Sequence, residues 1–197
     1  MPAGIGLIVC RTRLLRVSSM VMSASREARR LVAPLGRRWS HVQSVAASAD
    51  GVAAKMGLDA ETLVAAAWLH DIGYAEELHE TGFHPVDGAR YLRRTGWSEE
   101  VVRLVAHHSC SRFEAELRGL SDALGEFPRP SPELEDALCF CDMTTGPGGD
   151  RVTVTDRLAE IQARYGEGDI VARFVDAAHG ELVETVRRVE DRLVSAG

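Results

Sequence analysis

Residues 63–69 read Leu-Val-Ala-Ala-Ala-Trp-Leu, apolar on every side of a helix, and the next two residues are His70 and Asp71. A surface helix keeps a polar face. One without such a face must be enclosed by other elements. The chain therefore needs neighbouring helices around this segment, and the segment delivers an imidazole and a carboxylate into the interior. An ionised carboxylate there costs roughly several kcal/mol unless it is paired or binds a cation.

The rest of the sequence supplies the neighbours. Apolar spacing, caps and breakers predict helices over about 37–56, 60–71, 85–95, 99–108, 111–125, 133–143, 156–165 and 170–194. Gly57 and Gly73 stop two of them, Pro85 suits a first turn, and His179-Gly180 marks a break point in the last. The loops 126–132 and 144–149 are rich in Pro and Gly, and no period-2 run of strand length is present. Aromatic content is only 6% against 45% apolar residues, which favours helices over a sandwich. The expected fold class is all-α.

Three units are expected. Residues 1–22 are an extension, residues 23–150 a helical domain, and residues 151–197 further helices packed on it. The extension is Arg-rich and acid-free. It reads either as a basic targeting peptide or, more simply, as a misassigned start with Met20 or Met22 as the true first residue instead of Met1. It is set aside from fold reasoning. The stripe Val171, Phe174, Val175, Ala178, Leu182, Val186, Val189 and Leu193 reads first as intramolecular core and second as a homodimer surface.

Charge narrows the partners. Residues 1–38 hold eight Arg and one acid, a surplus of +7 that leaves −13 on the remainder of a chain whose net charge is −6. An acidic body is a poor general binder of nucleic acid, so none is expected as a partner. No apolar run reaches the roughly 18 residues of a membrane span. Cys139-x-Cys141 lacks the two-residue spacer of common zinc sites, and Cys10 and Cys110 stand apart from it. Reduced thiols and a cytoplasmic location are the expectation.

Helical spacing then shows which polar residues face inward. Leu63, Ala66, Ala67 and His70 fall at i, i+3, i+4 and i+7, and Val101, Leu104, Val105 and His108 repeat the pattern. Leu134, Leu138 and Asp142 continue a stripe at steps of four. His107 is turned about 100° from that face, so His108 is the inward member of the pair. A lone inward His is usually a satisfied core residue. Several His and Asp aimed inward from separate helices are better explained by a shared metal.

The ordered set Trp39-Ser-His41, Ala67-Trp-Leu-His70-Asp71-Ile-Gly73 and Asp142 resembles the HD-domain superfamily of metal-dependent phosphohydrolases, of the HDIG type. The resemblance implies an all-α HD-domain helical bundle in which His41, His70, Asp71 and Asp142 hold a divalent metal, with His70 and Asp71 in the catalytic role. The segments 82–92 and 101–108 look like those of binuclear members. There His84 and His108 would complete a second site and Asp71 would bridge. One or two ions are therefore expected, from Mn, Fe, Co, Ni, Zn or Mg, the mixed donors favouring the transition metals. The implied activity is attack of metal-activated water on a phosphate ester of a nucleotide or similar small metabolite. Thr144, Thr145 and Arg151, beside a Gly-rich loop, are candidate holders of substrate phosphate, although turn chemistry accounts for them as well. Arg37 and Arg38 precede His41 by a turn and are candidates to face the site. Two alternatives stay open: a binuclear HD-type oxygenase using similar ligands, and a non-catalytic, metal-stabilised regulatory protein.

Overall fold

The computed structural model describes residues 18–166 and 168–196. Among them the chain is helical, with no strand and a single β-bridge between Thr145 and Arg151. The helices are α1 (Ser19–Val32), α2 (Arg37–Met56), α3 (Ala60–Leu69), α4 (His84–Arg94), α5 (Glu99–His107), α6 (Ser111–Arg118), α7 (Ser121–Leu124), α8 (Pro132–Met143), α9 (Val154–Tyr165) and α10 (Ile170–Ser195). Short 3-10 turns follow α3 at Ile72–Tyr74 and α5 at His108–Cys110.

The apolar segment lies at the centre, as its composition requires. α3 packs against α1 and α2, with α5 and α8 closing further sides. Leu63, Ala65, Ala66, Ala67 and Leu69 are fully buried. Asp59 caps the helix, its carboxylate accepting from the backbone N–H groups of Glu61 and Thr62. Within residues 63–69 only Trp68 reaches partway to the surface, where it lies 5.6 Å from the Trp39 ring.

Several boundaries differ from the sequence reading. α3 ends at Leu69; His70 is its C-cap, and Asp71 (φ −101°, ψ 6°) turns the chain out of the helix. The expected helix over 111–125 is two helices, because Gly119 (φ +68°) takes a left-handed conformation that ends α6. The Pro85 helix begins one residue earlier, at His84. Gly180 does not break α10, which runs through it. Of the extension set aside, residues 1–17 lie outside the described residues, whereas Ser19–Met22 form the first turn of α1, with the Ser18 hydroxyl accepting from the Val21 N–H.

α10 packs on α9, α8 and α6. Phe174, Val175, Ala178, Leu182, Val186 and Val189 from its stripe are buried within this chain. Among the described residues no helix is long and apolar enough to cross a membrane.

Candidate metal centre

Five helices bring their polar residues to one place. α2 carries His41, the end of α3 carries His70 and Asp71, α4 opens with His84, α5 leads into His108, and α8 carries Asp142. His41, His70 and Asp71 form one group of donor atoms within 4.8 Å of one another; Asp71, His84 and His108 form a second. Asp71 belongs to both. Its Oδ1 lies 3.6 Å from His70 Nε2 and 3.7 Å from His84 Nε2. Asp142 Oδ1 lies 3.0 Å from His41 Nε2 and 4.0 Å from His70 Nε2. All six residues proposed as ligands from the sequence are therefore together.

The orientation of the rings is built into the backbone. His70 Nδ1–H donates to the Ala67 carbonyl at 2.8 Å, and His108 Nδ1–H donates to the Val105 carbonyl at 2.7 Å, each one turn back. His41 Nδ1–H donates to Gly146 O at 3.1 Å, in the Gly-rich loop after α8. Each bond leaves Nε2 facing the centre, the arrangement by which a second partner orients a ligating imidazole. His70 Nε2 is buried and has no hydrogen-bond partner. An orphaned buried nitrogen beside carboxylates is costly unless something fills the gap, and a cation is the fitting occupant. The mixed imidazole and carboxylate donors fit a divalent transition metal.

Two glycines set the spacing between Asp71 and His84. A Cβ on Gly73 would stand 2.0 Å from the His84 carbonyl oxygen and 2.8 Å from Gly88 N. The turn after α3 thus lies directly on the first turn of α4. Asp87, in the first turn of α4, accepts from the N–H groups of Thr81 and Gly82 at 2.9 and 3.0 Å and so fixes the loop before His84.

The carboxylates are held ionised. Burial pushes Asp71 up, but the Arg38 charge and the surrounding imidazoles outweigh it and hold the carboxyl well below the usual range. Arg38 Nη1 donates to Asp71 Oδ2 at 2.6 Å, which leaves Oδ1 to the imidazoles. The same guanidinium lies 3.4 Å over the Tyr74 ring, and Tyr74 stacks on His84 at 3.9 Å. Asp142 is also lowered: burial opposes ionisation, and the His41 hydrogen bond with the charges of His70 and His41 reverses it. Burial and the neighbouring imidazole push His84 and His108 down, towards the neutral form that ligates.

Thr144, Thr145 and Arg151 are not brought to this centre. The two hydroxyls donate to the Phe140 and Cys141 carbonyls four residues back, both at 2.7 Å. Arg151 is exposed and bridges to Thr145, shaping the loop that carries Gly146. His107 turns away, bonded through Nε2 to the Phe127 carbonyl at 2.7 Å. His79 and His179 are exposed.

Other groups at the site lie outside the set that the sequence pointed to. Ser109 and Cys110 both adopt positive φ, 49° and 58°, immediately after His108. This left-handed pair lets Ser109 Oγ–H donate to Asp142 Oδ2. Arg157, Ile161, Arg164 and Tyr165 come from α9 to line the cleft over Asp71, joined by Arg38 and Tyr74. Arg157, Ile161 and Arg164 recur at i, i+4 and i+7, a basic and apolar face that helical periodicity could have shown.

Five helices thus form a helical domain around an interior His/Asp centre that could hold metal. The family model for the HD domain matches residues 38–145, and the chain belongs to that family. Relatives match about half of it. Ribonuclease Y of Thermosipho melanesiensis is 37% identical over 101 residues, covering 49% of this chain and 20% of that protein. Ribonuclease Y of Rubrobacter xylanophilus is 36% identical over 103 residues, 48% of this chain and 19% of that protein. Ribonuclease Y of Thermus thermophilus is 41% identical over 99 residues, 48% and 17%. The chain thus spans about a fifth of the length of these relatives. No solved structure matches it significantly.

Proposed function

We propose that the chain is a divalent-metal-dependent phosphohydrolase with two ions, one held by His41, His70, Asp71 and Asp142 and the other by Asp71, His84 and His108. The observation that carries this reading is the shared Asp71 Oδ1, flanked by His70 Nε2, whose ring is pinned from behind by the Ala67 carbonyl, and by His84 Nε2, whose ring is stacked on Tyr74. The bound ions would supply an acidified water and draw charge from the phosphoryl oxygens. In the reaction, a water oxygen bonds to phosphorus, the ester P–O bond breaks, and the leaving oxygen takes up a proton. The protein's part is positional. Arg38 keeps Asp71 ionised and oriented, Ser109 orients Asp142, and Met143, Ile161 and Phe174 line part of the cleft. The name ribonuclease, borne by the relatives, supports phosphoester hydrolysis as the reaction class. The substrate proposed is a small phosphorylated metabolite of the nucleotide kind, and the compartment the cytoplasm, where the free thiols of Cys110, Cys139 and Cys141 would stay reduced.

The test is metal content with turnover. Wild-type protein should retain about two ions per chain, His84→Ala about one, and Asp71→Ala none, with phosphate release from p-nitrophenyl phosphate and nucleoside monophosphates falling about 10²-fold or more in the variants. Protein that takes up no metal on titration with Mn or Fe overturns the reading. Turnover that consumes oxygen and releases no phosphate replaces it with the oxygenase.

A further inference from the structure

Four arginines approach the centre from two directions. Arg37 and Arg38 open α2, while Arg157 and Arg164 lie two turns apart on one face of α9. With Leu35, His41 and Pro147 they line a groove that runs on from the cleft over Asp71; Arg38, His41, Arg157 and Arg164 border both. The groove's lining contains no carboxylate. On a chain of net charge −6, this is a local concentration of positive charge. Four like charges side by side repel one another and favour an anion between them.

Their present partners leave capacity unused. Arg38 is engaged with Asp71. Arg157 and Arg164 divide a single carboxylate, Glu160. The Arg157 side chain is only 11% exposed, and its Nε is buried without an acceptor. Arg37 makes no ion pair among the described residues. The start of α2 adds to the field: its N-cap is Gly36, which offers no side-chain acceptor, and its first turn holds no acid. The partial positive charge of that helix end is therefore not offset within the helix. Between Arg157 and Arg164 the same face of α9 carries Ile161, and Val171 and Phe174 of α10 add further apolar lining to the cleft.

We infer that the groove is a second phosphoryl subsite, and that the substrate is a small oligophosphate ester of the nucleoside polyphosphate class. One phosphoryl group lies at the Asp71 centre, the next is held by Arg37, Arg157 and Arg164, and the organic part lies against Ile161, Val171 and Phe174. Each guanidinium fork can take two oxygens of one phosphoryl group, so several forks side by side offer more donors than a single phosphate needs. An extended nucleic-acid strand fits less well, because the basic surface stops at Leu35 and Pro147 and the chain from residue 39 onward carries −13. The placement of the reacting phosphoryl rests on the hydrolase reading above; the arginine groove does not need a metal.

The experiment is therefore calorimetry on the full chain stripped of metal, with inorganic tripolyphosphate and orthophosphate as probes. Tripolyphosphate should bind at least about ten-fold tighter than orthophosphate. The double variant Arg157→Gln, Arg164→Gln should lose about ten-fold of that affinity while retaining wild-type metal content on reloading. Arg37→Gln, at an exposed position outside the core, should lose a smaller part and serves if the double variant does not fold. Equal affinity for the two anions overturns the subsite. An oligoribonucleotide that binds more tightly than tripolyphosphate and depends on the same arginines overturns the small-ligand assignment in favour of RNA. Tripolyphosphate binding in protein that never takes up metal would sink the hydrolase reading and leave the anion groove standing.

Discussion

A methyl group on Gly73 would lie 2.0 Å from the His84 carbonyl oxygen, with Gly88 N behind it at 2.8 Å. Both obstacles are backbone, so neither can swing aside. Gly73→Ala should force α4 away from the turn after α3, at a cost of about 1–3 kcal/mol, and separate His84 from Asp71. The expected result is a lower denaturation midpoint together with loss of the His84 ion from the metal count; an unchanged count would show that α4 does not depend on this contact. Ser109 shows the same logic with a polar atom. Two consecutive left-handed residues are unfavourable, and they place a hydroxyl on Asp142 that no helical pattern could reveal. His70, His108 and Asp142 were legible beforehand because each extends an apolar stripe. Ser109 follows a helix end, where periodicity stops carrying information. Thr144 and Thr145 were candidates by proximity in sequence, yet local backbone acceptors capture both hydroxyls.

At the scale of the helices, composition decided more than boundaries did. α3 had to be enclosed, and it is. Gly180 looked like a break, but the flanking apolar stripe is buried along α10 and that packing outweighs the weak helix preference of one glycine. A Cβ there would meet nothing within 4 Å. Gly180→Ala should therefore raise stability by about 0.5–1 kcal/mol, read as a higher thermal midpoint; a fall would mean that the position carries a constraint beyond helix propensity. On α8, burial pushes the Glu135 carboxyl from 4.5 up to about 7 despite its pairing with Arg129. The folded state then keeps a proton that the unfolded chain releases. This contribution is fully present below pH 4.5 and is lost as pH rises towards about 7. Glu135→Gln should flatten the fall in thermal midpoint across that window; parallel profiles for variant and wild type would refute the shift.

The whole molecule is an acidic helical body with four of its histidines and four of its arginines drawn to one cleft and the groove beside it. Metal that binds the folded chain and not the unfolded one should add about 2.7 kcal/mol of stability at a hundred times its dissociation constant. A rise in thermal midpoint on adding Mn, abolished in Asp71→Ala, is the expected reading; a rise of equal size in the variant would place the ion elsewhere. A family resemblance supplied His41 and His84; by itself, the sequence determined the all-α class, the enclosed α3, and the inward His70, Asp71, His108 and Asp142. Those features follow from helical periodicity and from the cost of burying polar groups, both properties of local chain segments. Tertiary structure alone decided that Asp71 lies between two groups of imidazoles, that Ser109 supports Asp142, and that Arg157 and Arg164 reach over the centre from α9. These arrangements depend on how separate helices approach one another in space, which the spacing of residues within any one helix does not encode.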